Sequence, residues 1–130
     1  MYNVAFLLNF NIFKWLGGIN VIINLINCIN LSKKKNSIKF TIIISDKKLL
    51  KKFSLPKNVK IIENKEICNL PFLKKIIDKL YLIFLGKTFF LEKFLIKNNI
   101  KILSHTNIVT GKKSYAKSFI WIPDFQYIHL

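Results

Sequence analysis

Apolar positions along this chain switch repeatedly between unbroken runs and a helical period. Val4-Ala5-Phe6-Leu7-Leu8 is an unbroken run of strand length, and a parallel strand covered on both faces is apolar throughout rather than alternating. From Ile19 the period becomes helical. Ile19, Ile22, Ile23, Ile26 and Ile29 recur on one side, while Asn20, Asn24, Asn27 and Asn30 follow on another. Between run and helix stands Trp15-Leu16-Gly17-Gly18, which reads as a tight turn whose glycines tolerate positive φ and let a ligand approach the backbone. Strand, glycine turn and helix N-terminus together make an anion site for a phosphate or carboxylate. A Gly-Gly turn with a purely structural role is the equal alternative.

The same reading continues downstream. Ile38 to Ile44 is a β-branched strand. Ser45-Asp46 follows as a helix N-cap for Lys47 to Phe53. Asp46 also invites comparison with the acidic residue that holds a ribose hydroxyl in dinucleotide folds, but no full G-x-G-x-x-G precedes it and the cap is preferred. Val59 to Ile62 is a third strand. Pro71 opens a helix on Leu73, Ile76, Ile77, Leu80 and Phe84 that runs to Gly86, and Phe90, Leu91, Phe94 and Leu95 make another. Lys79, Lys87 and Lys93 interrupt that apolar text, which predicts two core-packing helices rather than a membrane hairpin. A patch of Phe84, Phe89 and Phe90 facing lipid is the alternative. Ile100 to His105 is a fourth strand, Asn107 to Lys117 a loop, and Ser118 to Ile122 a fifth strand ending in Pro123-Asp124.

Strands separated by helical segments imply crossovers and a parallel sheet. The expectation is an α/β fold of about five parallel strands with flanking helices. Ligands of such sheets lie outside the carboxyl ends of the strands. Gly17, Gly18, His105 and Asp124 are therefore expected to converge on one edge.

Composition adjusts this picture in three ways. A chain of 130 residues is one domain with enough apolar sequence for a core. Its 22 basic residues are all lysine and face 6 acidic ones, giving +16. Lysine, isoleucine and asparagine rising together resemble the drift of an A/T-rich genome, but the remaining excess still favours anionic partners. The missing arginine argues against specific nucleic-acid readout, which leans on the guanidinium fork. Cys28 and Cys68 sit in unrelated contexts; they read as reduced, largely buried thiols of a cytoplasmic protein, with a disulfide as the alternative. No metal-spaced cluster, Ser-His-Asp set or Walker loop occurs: Thr110-Gly111-Lys112 lacks the upstream glycine and the hydroxyl after lysine. Nor does a basic residue precede the first apolar run, as a secretory signal needs.

Two stretches carry a family resemblance. Trp15-Leu16-Gly17-Gly18-Ile19-Asn20 with Asn24-Leu25, and Trp121-Ile122-Pro123-Asp124-Phe125-Gln126-Tyr127-Ile128-His129-Leu130, resemble the signature stretches in the N-terminal domain of GT-B fold glycosyltransferases of the retaining, family 1-like group. The second stretch departs at Tyr127, where that group often has histidine. The resemblance implies a Rossmann-like acceptor-side domain of an enzyme that moves a sugar from a nucleotide-sugar donor to a saccharide or lipid-linked acceptor, without a metal or other cofactor. It further implies that Gly17 and Gly18 sit at the donor phosphates with Asn20 beside them. His105 then lies at the binding edge, and Asp124, Gln126 and His129 line the cleft near the reacting sugar, Asp124 being the candidate catalytic group. That family continues past the equivalent of Leu130 into a donor-binding domain, so these residues are expected to be a truncated, split or partial product, inactive alone. A separately encoded C-terminal domain and an anionic membrane, at its inner face, are the implied partners.

Plainer readings stand beside these. His105 is equally a hydrogen-bonded structural residue, Asp124 a turn former, and the Lys33-Lys34-Lys35 and Lys112-Lys113 runs solvated faces. The competing function is a non-enzymatic basic module for an anionic membrane or nucleic acid, the latter disfavoured by the lack of lysines interleaved with exposed aromatics.

Overall fold

A computed structural model describes residues 2–9, 16–32 and 37–120. Five parallel strands form one sheet: β1 (Tyr2–Leu8), β2 (Ile38–Ile44), β3 (Lys60–Glu63), β4 (Ile102–Thr106) and β5 (Lys117–Ile120), in the order β3-β2-β1-β4-β5. The helices are α1 (Leu16–Leu31), α2 (Lys65–Cys68), α3 (Phe72–Leu85) and α4 (Phe90–Lys97), with a 3-10 turn at Lys47–Leu50. This is an α/β, Rossmann-like arrangement. The polar bend at 33–36 and the signature stretch at 121–130 lie outside the described residues, as does Trp15.

β1 is the spine. It pairs with β2 from Tyr2 opposite Ile38 to Leu8 opposite Ile44, and on its other side with β4 from Val4 opposite Ile102. Ala5, Phe6, Leu7 and Leu8 are all buried, as an unbroken apolar run in a doubly covered strand requires. Alternate residues feed two cores. Phe6 and Leu8 join Phe40, Ile42, Ile44 and the isoleucine stripe of α1. Ala5 and Leu7 join Ile43, α2, Leu91 and Leu95 of α4, and Leu103. The amide side of α1 turns outward, where Asn30 accepts a hydrogen bond from Asn58 and Asn27 donates to the Ser54 carbonyl.

Local capping follows the sequence at two points, although the segment after Asp46 is a 3-10 turn, Lys47–Leu50, rather than the helix expected to Phe53. The Asp46 carboxylate accepts from the Lys48 amide at 2.8 Å, so one of its oxygens is engaged as a cap. Gly86 ends α3 in the left-handed region, at φ 70°. Two expectations fail here. Cys28 is exposed and only Cys68 is buried, both as free thiols, because Cys28 falls on the outward side of α1. More consequentially, α3 contributes no residue to either core. Its one buried residue is Asp78, whose carboxylate accepts hydrogen bonds from the Phe89 and Phe90 amides at 2.8 Å each. That demand turns the acidic edge of α3 inward and its apolar face out, while α2 and α4 cover the sheet.

The link from β4 to β5 is a loop rather than a helix, and it is pinned to the helical layer. The Thr110 hydroxyl donates to the Ala116 carbonyl at 2.9 Å, and the Lys113 amide to the Gly86 carbonyl at 2.9 Å. Buried Glu92 of α4 accepts from the Ser114 hydroxyl and from the Tyr115 amide.

Candidate functional site

Strand order turns back between β1 and β4: β2 and β3 are laid to one side of β1, then β4 and β5 to the other. The crevice beyond the carboxyl ends of those two strands is where open α/β sheets hold ligands. Asn9, just past β1, donates to the Asn107 side chain, just past β4, at 3.3 Å. Two amide side chains thus close over the switch point.

His105 occupies this edge in an unusual backbone state. Its φ is 52°, the left-handed region that costs a non-glycine residue free energy. The strain coincides with a register shift between Ser104 and Thr106 against β5, a bulge that re-aims one side chain. The imidazole lies 5.6 Å from the Phe6 ring, centroid to centroid, and its Nδ1 is 2.8 Å from the Ser104 hydroxyl. Partial burial lowers its pKa from the usual 6.5, which favours the neutral ring.

The glycines stand differently from expectation. α1 already begins at Leu16, so Gly17 and Gly18 lie in its first turn and neither has positive φ. The turn chemistry predicted for them is not what they supply. A first helical turn nevertheless leaves its amides without intrahelical partners. Among the described residues, a side chain at Gly17 would meet nothing within 4 Å, so that position faces open space, while Gly18 beside it is buried. Asn20 is exposed one turn on. Through Phe6, His105 shares the sheet face covered by α1. Asp124, Gln126 and His129 lie outside the described residues.

The opposite face of the same edge holds a cavity of about 460 Å³, walled by Cys68, Leu82, Leu91 and Ile108, with Lys75 and Lys79 on its α3 side. That is within the roughly 300–1,000 Å³ typical of small-molecule sites. Thr88 lines it, and its buried hydroxyl has no hydrogen-bond partner; an unpaired buried hydroxyl costs about 1–3 kcal/mol. Burial pushes the Cys68 thiol up to about 11, so it is inert as a nucleophile. No group of three or more His, Cys, Asp or Glu able to hold a metal occurs among the described residues.

Sequence reasoning passed over Asp78, Thr88 and Glu92. The signal was present: in a chain with only 6 acidic residues, two of them interrupt the apolar text of the α3–α4 segment. A carboxylate in that setting has to be satisfied by buried donors. No family model, curated protein or solved structure matches this chain.

Proposed function

We propose that this chain is the acceptor-side domain of a retaining GT-B fold glycosyltransferase, transferring a sugar from a nucleotide-sugar donor to a saccharide or lipid-linked acceptor. The observation that carries the reading is His105, held at φ 52° in a bulge at the switch edge of the sheet. Strain kept at a ligand-binding edge belongs to function more often than to packing. The first turn of α1, open at Gly17, supports it by offering amide donors for an anionic group. Similarity of the two signature stretches to that family supplies the reaction class, and with it Asp124, Gln126 and His129 as groups near the reacting sugar. A lipid-linked acceptor would be met at the inner face of a membrane.

On this reading these 130 residues would supply one wall of a cleft, the donor-binding domain of that family supplying the other. Positioning of donor and acceptor supplies ~7–11 kcal/mol of barrier reduction in favourable cases, so the isolated chain is expected to show no measurable sugar transfer. Titrating the ¹⁵N-labelled chain with a nucleotide sugar and with oligosaccharides is the direct test. Amide shifts concentrated at Gly17, Gly18, Asn20 and His105 are expected. Sugar transfer at normal turnover by the isolated chain would defeat the one-wall argument. Steeply salt-dependent DNA binding with no saccharide response would replace the reading by that of a basic module.

A further inference from the structure

Among the described residues, exposed large hydrophobic side chains are concentrated on the outward face of α3. Phe72, Leu73, Ile76, Ile77, Leu80, Ile83 and Phe84 are all exposed, Ile83 at 74% and Phe84 at 78%. At 3.6 residues per turn they fill one uninterrupted arc of roughly 140°. Lys79 and then Lys75 follow directly on one flank of that arc, both exposed. On the other side the helix meets the body through Tyr81, Asp78 and Leu82. Lys74 is engaged there by Glu66 and the Phe90 ring. A continuous apolar arc edged by free-standing cations is the pattern of a helix that lies in a bilayer interface. It is too short to cross one, and no described helix is long and apolar enough to do so.

We propose that α3 docks this protein on an anionic lipid bilayer, its apolar arc entering the headgroup–acyl boundary and Lys75 and Lys79 at the level of the lipid phosphates. Charge decides between occupants. A second copy would bring together two molecules of +16 each, whereas a negatively charged leaflet attracts every exposed lysine within a Debye length. Lysine stems also snorkel well, covering apolar surface while the ammonium stays at the phosphates. The proposal rests on exposure and charge and is independent of the transferase reading, so either can fail alone.

The test is flotation of the full chain with vesicles rich in phosphatidylglycerol and with pure phosphatidylcholine vesicles. Preferential binding to the former is expected, with α3 amides protected from hydrogen exchange on the vesicles. Leu80→Asp and Phe84→Asp should each weaken binding about tenfold or more, since each replaces an inserted apolar group by a charge. Lys75→Gln and Lys79→Gln should each weaken it about fivefold, the contribution of one cation near an anionic leaflet. These side chains are exposed, so circular dichroism and melting should not change. Equal affinity for both vesicle types would overturn the proposal. So would wild-type binding by Leu80→Asp and Phe84→Asp, or light scattering that finds a dimer which Leu80→Asp dissociates.

Discussion

Gly111 is more tightly confined than Gly17 or Gly86. Its φ is 102°, and an added Cβ would lie 2.3 Å from the Gly86 carbonyl oxygen, a backbone atom that the Lys113 amide also holds. Neither relaxation nor a rotamer change relieves that contact. Gly111→Ala should therefore destabilise the fold by at least about 2 kcal/mol, read as a lower urea midpoint at unchanged slope. His105 makes a prediction of a different kind. Its folded-state pKa lies below the unfolded value of 6.5, so the unfolded chain binds the proton more tightly. The ring's contribution to stability is then complete above about pH 6.5 and is lost as the pH falls through the lower folded-state value. Melting temperatures across this range should show the loss, and His105→Asn, which tolerates the left-handed backbone, should abolish that component.

At the scale of elements, α4 depends on a neighbour for its start. Phe89 offers no capping side chain, and the Asp78 carboxylate of α3 takes the two amides instead. Asp78→Ala should cost about 2 kcal/mol, a lost cap together with buried donors left unpaired. Asp78→Asn, which keeps an acceptor oxygen, should recover part of it; chemical denaturation of the two variants distinguishes these outcomes. The same contact explains where reading the chain succeeded and failed. Strand β2, the apolar stripe of α1, the Asp46 cap and the glycine end of α3 were legible, because each follows from spacing or from one residue's local chemistry. The facing of α3 was not. Helical period shows that Leu73, Ile76, Leu80 and Phe84 share a side, but not which side the body takes. That was settled by a hydrogen bond between residues 78 and 89–90, a tertiary fact. The start of α1 was missed for a similar reason: glycine's freedom at Gly17 and Gly18 permits a turn, and the helix absorbed them.

For the molecule as a whole, a parallel sheet of about five strands was legible from strands separated by helical segments, and with it the edge on which binding is expected. The β3-β2-β1-β4-β5 order was not, because spacing along the chain does not say on which side of β1 each later strand is laid. His105 was legible as a strand-tip residue, its bulge was not, since a register shift depends on the pairing partner in β5. The two faces of that edge serve different chemistry: the α1 face carries a strained imidazole and a helix start open at Gly17, and the α3–α4 face a chamber with an orphaned Thr88 hydroxyl. Lys75 and Lys79 belong at once to the rim of that chamber and to the flank of α3. Were α3 docked as proposed, anchorage and entrance would share a threshold. A greasy molecule with an acidic head, sliding laterally out of the leaflet, would exchange one ammonium partner for the next without ever crossing open water.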